Sequence, residues 1–389
     1  MPYALPPAET RLPIMALTRG LLPGRLNFEE KLSGFLRVEK CILANSARTL
    51  LYLVFLHLRS RFEQEQVEVL IPGYTCYSLP ASVVKAGLKV SLYDMEPATL
   101  QPDLEDVRRK ISGRTIAVVG QHLLGVHSDI SELAKLASEQ GVFCVDDSAQ
   151  LFPGDNTIDS NAPADYTIFS FGRGKPLPLG CGGLLVSYKG RDIEAIGRQL
   201  NTYPSKNGRS IMPLVVQILS NPALYWSMEK LPLGLGRTIY DPGFQVSGMS
   251  HFYQRIGINA LDNLEKLNRH RSFISRIYTD RLGYKDVFRT RKTESLPHLR
   301  YPFLADYQKG VEKLANYGVR RMYPRALCDL ESLKPHLTDP RIKTPGAREI
   351  CRRLVTLPTH LGISKKLAVK IANEAGKTVG GITIVTPDG

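Results

Sequence analysis

Between about residues 40 and 190, short β-rich runs alternate with helix-patterned stretches, and this alternation constrains the fold more than any other feature of the chain. Residues 67–71, 89–93, 115–119, 142–145, 167–171 and 183–186 read as strands. Several are continuously apolar, as strands buried on both faces of a parallel sheet are. One intervening helix is well marked. Asp129 and Glu132 have capping-box spacing, Leu133, Leu136 and Ala137 form an apolar face, and Gly141 is placed to end it. The pattern predicts an α/β fold with a mostly parallel central sheet between helices. Ligands are then expected beyond the carboxyl ends of the strands.

A chain of 389 residues has room for two or three domains. We expect a large domain over 1–248, with an N-terminal arm over 1–30 and an apolar, proline-interrupted insertion at about 200–245. Pro204, Pro213, Pro222, Pro232 and Pro242 punctuate that insertion, which reads as a surface cover, a dimer contact or a membrane-resting patch. A smaller α+β domain is expected over 249–389: a long helical pattern after Met249, a strand at 301–305, and helices near 309–317 and 364–375. The net charge of +14 first suggests a nucleic acid partner. Its distribution argues otherwise, because residues 1–250 carry 25 Lys and Arg against 24 Asp and Glu, whereas residues 251–389 carry 26 against 13. No helix-turn-helix, RRM or zinc pattern accompanies the charge, so no nucleic acid partner is expected. Six scattered cysteines without a CxxC pair read as reduced thiols, and neither they nor the eight histidines suggest a metal site. No signal peptide and no membrane-length apolar run is evident, so a cytoplasmic protein is expected.

Three motifs carry chemistry. In Phe169-Ser-Phe-Gly-Arg-Gly-Lys175-Pro, glycines crowd a lysine at a strand end. A nucleotide P-loop would need Ser or Thr after the lysine, but Pro176 follows it. A lysine in a tight turn can instead form a Schiff base with a carbonyl group, or be an ordinary surface-turn lysine. Val142-Phe-Cys-Val-Asp-Asp147-Ser-Ala-Gln150 places carboxylates just past a buried strand. There they can cap a helix, bind a metal or keep a pyridine nitrogen protonated, as pyridoxal phosphate (PLP) chemistry requires. Ala44-Asn-Ser-Ala-Arg-Thr-Leu50 opens an apolar helix, whose N-terminal amides suit a phosphate or simply a good N-cap.

Taken together, over roughly residues 30–375, these motifs resemble the sugar aminotransferases of the DegT/StrS type, PLP enzymes with the fold of aspartate aminotransferase (fold type I). Ile71-Pro-Gly-Tyr-Thr-Cys-Tyr-Ser78 is similar to the family's Pro-x-x-Thr loop, and His122-Leu-Leu-Gly125 with Asp129 to its His-Leu-Tyr-Gly…Asp segment. Asp146-Asp147-Ser-Ala-Gln150 resembles Glu-Asp-Ala-Ala-Gln. Phe169-Ser-Phe…Lys175 with Gly182-Gly183 resembles the lysine motif, and Leu357-Pro-Thr-His360 the family's Leu-Pro-x-His.

The resemblance implies that Lys175 binds PLP covalently and shuttles the proton between donor carbon and cofactor. It implies that Asp147 pairs with the pyridine nitrogen and that Gln150 contacts the ring's hydroxyl side. Ser170 and the amides of Ala47 and Arg48 would hold the phosphate. The family often has an aromatic where this chain has Cys76, so stacking on the ring is either lost or supplied by Tyr77. The family's Asn-Tyr-Arg-Met, whose Asn reaches the partner subunit's cofactor, falls on Val246-Ser-Gly-Met249. His122 reads as a packing residue. Lys175 is retained, which argues against the family's PLP dehydratases, where histidine replaces it.

The implied activity moves an amino group from an amino acid, glutamate by resemblance, to a keto sugar linked to a nucleotide, for amino-sugar or surface-polysaccharide biosynthesis. The expected assembly is a homodimer. The alternative is a non-catalytic PLP-fold binding or regulatory protein of polysaccharide assembly, using the basic domain or the apolar insertion against an acidic polymer or a membrane surface.

Overall fold

The computed structural model of the chain describes residues 5–8, 14–22, 24, 26–63, 67–154, 163–204, 239–282, 297–305 and 310–379. Residues 205–238, most of the apolar insertion expected at about 200–245, lie outside the described residues.

The central layer is a seven-stranded sheet. Its strands are β1 (Cys41–Ala44), β2 (Glu68–Pro72), β3 (Lys89–Tyr93), β4 (Thr115–Gln121), β5 (Phe143–Ser148), β6 (Tyr166–Ser170) and β7 (Gly183–Val186), in the order β1-β7-β6-β5-β4-β2-β3. The five strands from β6 across to β3 are parallel to one another, and β7 runs antiparallel to both β6 and β1. The expected mostly parallel α/β sheet is what the chain forms. The strands are apolar on both faces because helices cover both. Val69, Leu70 and Ile71 of β2 and Val118 and Val119 of β4 are fully buried.

Helices join the strands of this sheet. Helix α3 (Ala47–Arg59) follows β1 directly, with Ser46 as its N-cap; the Thr49 amide donates to Ser46 Oγ at 3.2 Å. Before it in the chain come α1 (Ile14–Leu21) and α2 (Phe28–Leu36). Helix α4 (Ser78–Lys85) links β2 to β3, and α5 (Leu104–Lys110) links β3 to β4. Helix α6 (Ile130–Glu139) links β4 to β5, capped by Asp129 accepting from the Glu132 amide at 3.3 Å, as the sequence predicts. Helix α7 (Ile193–Leu200) follows β7.

The chain beyond 250 opens with α8 (His251–Leu261) and α9 (Leu264–Leu282). Phe252 and Ile256 of α8 share an apolar core with Phe28, Leu32 and Phe171. A three-stranded antiparallel sheet follows, in the order β8 (Arg300–Leu304), β10 (Leu354–Pro358), β9 (Arg320–Arg321). Helices α10 (Pro345–Arg353) and α11 (Lys365–Val379) complete it, the latter lying against α9. The segment expected as a helix near 309–317 forms 3-10 turns over Val311–Tyr317.

The two sheets are fastened by specific polar contacts. Asp94, just after β3, accepts the first amides of α10, from Gly346 at 2.9 Å and Ala347 at 2.8 Å, which satisfies the helix N-terminus with a carboxylate. Thr338 Oγ1 donates to the buried Glu68 carboxylate at 2.6 Å. Arg271 of α9, 2% exposed, donates to the Pro176 carbonyl at 2.9 Å and so holds the turn that carries Lys175. Among the described residues no helix is long and apolar enough to cross a membrane, and no three His, Cys, Asp or Glu side chains gather as metal ligands.

Candidate active site

The carboxyl ends of β4, β5 and β6 and the N-terminus of α3 enclose a cavity of about 580 Å³. Of the residues implied by the family resemblance, Ala47, Arg48, Cys76, Asp147, Gln150, Ser170 and Lys175 all line it. They lie as far apart in sequence as 47 and 175, so their convergence is a product of the fold.

The carboxylates were expected just past a strand. Instead β5 continues through them to Ser148, because backbone pairing with β4 and β6 extends beyond the apolar run. Successive side chains of a strand face opposite sides, and Asp147 lines the cavity while Asp146 does not. Neither caps a helix. Asp147 Oδ1 accepts the Ala149 amide at 3.0 Å, and the Asp146 carboxylate accepts from Ser148 Oγ at 3.1 and 3.0 Å. Burial pushes the Asp147 carboxyl upward, and the nearby Lys175 ammonium pulls it back.

The lysine turn depends on glycines. Gly174, Gly180 and Gly182 have φ of +66°, +94° and +112°, values that disfavour any residue with a Cβ. Gly183 is required for proximity instead. A Cβ there would collide with the Ala47 amide nitrogen and stand 2.6 Å from the Ser46 carbonyl carbon. The missing side chain lets the first turn of α3 rest on β7. Ser46 satisfies the Thr49 amide, and Ala47 and Arg48, whose amides come ahead of any intrahelical acceptor, line the cavity.

Gln150 is anchored at both ends. Its Oε1 accepts the Leu124 amide at 3.1 Å, and its Nε2 donates to the Tyr323 hydroxyl at 2.8 Å. Cys76 lines the cavity, with its thiol 3.3 Å from Ser78 Oγ. Tyr77 does not line it. Its hydroxyl is held by the backbone of Arg325, accepting from the amide and donating to the carbonyl at 3.1 Å each, so its ring is turned toward the C-terminal layer. Stacking by Tyr77 in the cavity is therefore not what this arrangement provides.

His122, read from the sequence as packing, is a cavity residue. Its Nδ1 accepts the Ser128 amide at 2.9 Å, so in the neutral ring the proton sits on Nε2, 3.4 Å from Asp146 Oδ1. Behind it, burial above all, with a smaller contribution from the neighbouring His122, depresses His127 to about 4. Sequence reasoning also passed over Thr75, Gln121, Asp241 and Tyr323 as individual site residues. Thr75 sits in the Pro-x-x-Thr loop, so a signal for it existed. Nothing local marks Tyr323, which arrives from the strand pair near β9.

The donor set fits PLP. Thr75 is 1% exposed and its Oγ1 has no partner, although it borders the cavity, so the site keeps a buried polar atom for something it does not itself contain. A lysine, a buried carboxylate and a helix N-terminus then match the carbonyl, ring nitrogen and phosphate of the cofactor in kind.

A family model described as "DegT/DnrJ/EryC1/StrS aminotransferase family" matches residues 23–375. The chain is 29% identical over 161 residues to GDP-perosamine synthase of Vibrio cholerae, a stretch covering 41% of this chain and 43% of that enzyme, so under half of that relative's length is spanned. It is 27% identical over 379 residues to dTDP-4-dehydro-2,3,6-trideoxy-D-glucose 4-aminotransferase of Saccharopolyspora spinosa, covering 92% of this chain and 90% of the relative. In structure it is similar to Spr1654 of Streptococcus pneumoniae, a candidate sugar aminotransferase solved in PLP and PMP forms. The TM-scores are 0.73 and 0.74 at 18% identity; the PLP form is matched over 96% of this chain and 97% of that one, the PMP form over 97% and 99%. That likeness establishes fold type I. With the family model spanning nearly its whole length, the chain belongs to the DegT/DnrJ/EryC1/StrS aminotransferase family.

Proposed function

We propose that the protein is a PLP-dependent aminotransferase that takes an amino group from an amino acid, with glutamate as the favoured donor, and delivers it to a keto sugar carried on a nucleotide. The observation that carries this reading is the convergence of Lys175, Asp147, Ser170 and the first amides of α3 on one cavity. The 4-aminotransferase of Saccharopolyspora spinosa, matched over 92% of this chain, supports a nucleotide-linked sugar as acceptor.

Bound in the cavity, PLP supplies an electron-withdrawing ring that lets a neighbouring carbon lose its proton. Lys175 would hold the cofactor's carbonyl carbon, and its Nζ is the group that would take the proton and return it at the adjacent position. Asp147 keeps a negative charge where the ring nitrogen must stay protonated. The Ala149 amide fixes its orientation. Ser170 Oγ and the amides of Ala47 and Arg48 would bind the phosphate, with the partial positive charge of the α3 N-terminus behind them. Gln150 braces the wall through Leu124 and Tyr323. We further propose that the working unit is a cytoplasmic homodimer.

Two measurements test the reading. Protein reconstituted with PLP should absorb near the visible edge of the ultraviolet, lose that band on borohydride treatment, and lack it in Lys175→Ala. Incubation with glutamate and a panel of keto nucleotide sugars should release 2-oxoglutarate for at least one sugar. A reconstituted protein without the chromophore ends the proposal.

A further inference from the structure

Residue 48 contributes more than a backbone amide. Its side chain lines the same cavity and is 30% exposed. The guanidinium lies over the Phe244 ring, 4.4 Å from its centroid. Among the described residues its ion-pair partner is Asp241, at 3.9 Å, a distance too long for a hydrogen bond. Among the described residues the guanidinium makes no hydrogen bond at all, although it carries five N–H donors in a planar fork. Asp241 is itself 52% exposed and also borders the cavity. A second cation stands beside this pair. Lys85 Nζ is 4.9 Å from the centroid of the same Phe244 ring and 3.5 Å from the Pro242 carbonyl.

Among the described residues, two cations and one carboxylate thus stand around the Phe244 ring beside the cavity, a local excess of positive charge. The excess faces a cavity whose wall also presents the partnerless hydroxyl of Thr75 and the first amides of α3. A pair held by good geometry would have closed to about 2.8 Å with parallel N–H···O bonds. This one is held apart, with the guanidinium supported by the ring and its donors unspent. Burial lowers the Arg48 pKa and Asp241 only partly offsets that, so the site keeps an under-compensated charge.

We propose that the Arg48 side chain is a phosphate clamp at the cavity mouth, that Asp241 occupies its neighbourhood until a phosphate arrives, and that Phe244 holds the guanidinium in place meanwhile. The chemistry recognised is a phosphate oxyanion taken by the guanidinium fork. The phosphate is either that of PLP or the diphosphate of a nucleotide-linked sugar, so the inference rests on the function proposed above.

The test uses the full chain in wild-type, Arg48→Ala, Arg48→Lys and Asp241→Asn forms. Apoprotein is titrated with PLP by absorbance, and PLP-loaded protein is titrated calorimetrically with UDP, dTDP and GDP separately. The expected result is a loss of about tenfold or more in affinity for Arg48→Ala in one arm, with partial recovery in Arg48→Lys, because charge-assisted bonds are among the strong ones. Asp241→Asn should tighten the same arm by about threefold, since it removes an exposed competitor. Weakening in the PLP arm assigns the clamp to the cofactor, and weakening in the nucleotide arm assigns it to the substrate. The idea is overturned if Arg48→Ala leaves both arms within about twofold of wild type, or if Asp241→Asn weakens binding as Arg48→Ala does, as a purely structural ion pair would. Should Arg48→Ala fail to fold by circular dichroism, the sign of the Asp241→Asn change still decides. A wild type that binds PLP but aminates no sugar defeats the aminotransferase reading and leaves these constants readable.

Discussion

The floor of the cavity is made from strand ends and one helix start, all between residues 46 and 175, whereas its mouth is assembled from Ile239, Asp241, the buried Tyr323 and the Arg48 side chain, which rests on Phe244. The floor is rigid by construction. Asp147 sits in a strand paired on both sides, Ser170 ends another, and the first turn of α3 presses on Gly183 with no side chain between. The mouth has looser contacts: a 3.9 Å ion pair, a cation over a ring, and an exposed Ile239. A site divided in this way can keep one chemistry in the floor and vary the substrate at the mouth, because changes at the rim do not disturb the strand ends.

The largest effect that would break this comparison is expected at Asp147. If the floor works by fixed charge, Asp147→Asn should cut turnover by about 10²–10³-fold, the scale found when a preorganised electrostatic partner is removed. The change is nearly isosteric, so the urea midpoint should move little. Single-turnover reaction of the PLP-loaded protein with glutamate, followed by absorbance, measures it. A fall of less than about tenfold would mean that the floor's charge is not what drives the reaction.

Gly183→Ala addresses the floor's geometry instead. An alanine Cβ cannot share space with the Ala47 amide, so α3 must back away from β7. Overpacking of this kind costs about 1–3 kcal/mol. Urea unfolding should register that loss, and PLP titration should show weaker binding because the phosphate-facing amides move with the helix. Gly172→Ala is the control. The nearest atom to its added carbon is Ser170 Oγ at 3.5 Å, an ordinary contact, and its stability should stay within about 0.5 kcal/mol of wild type. Equal losses in the two variants would show that the fit of α3 on β7 has no special weight.

Much of the floor was legible in the sequence because its residues sit beside strong local signals: apolar runs that end, glycines that turn, a serine that caps. What was missed depends on pairing over distance. Cys41-Ile-Leu-Ala44 is too short and too like the helix that follows to be recognised as β1; it becomes a strand by pairing with β7, more than 130 residues later. The strand status of Asp146 and Asp147 likewise comes from neighbours in the sheet and not from their own polar character. Tyr77 looked able to face the cavity from its place beside Cys76. The Arg325 backbone, 248 residues away, captures its hydroxyl and turns it elsewhere. At the mouth nothing in the local pattern joins Arg48 to Asp241 and Phe244, since a salt bridge and a ring contact leave no periodicity.

Tyr323 gives the smallest effect and the sharpest probe of how mouth and floor are joined. Its hydroxyl accepts the Gln150 amide at 2.8 Å, while its own backbone amide donates to Tyr74 OH at 3.0 Å. Its backbone is therefore fastened to Tyr74, just after β2, and its hydroxyl braces a residue of the floor. Tyr323→Phe removes only the oxygen. The Gln150 amide then loses its acceptor, but it borders a cavity of about 580 Å³ that water can enter, so the cost should lie near about 1 kcal/mol and not at the full penalty of a dry orphan. If the two parts are energetically separate, this variant should lower the urea midpoint slightly and leave the Asp147 effect on turnover unchanged in the double variant. Energies that add to within about 0.5 kcal/mol would mark floor and mouth as independent. A coupling larger than that would show the Gln150–Tyr323 bond transmitting between them, and the division drawn above would fail at that contact.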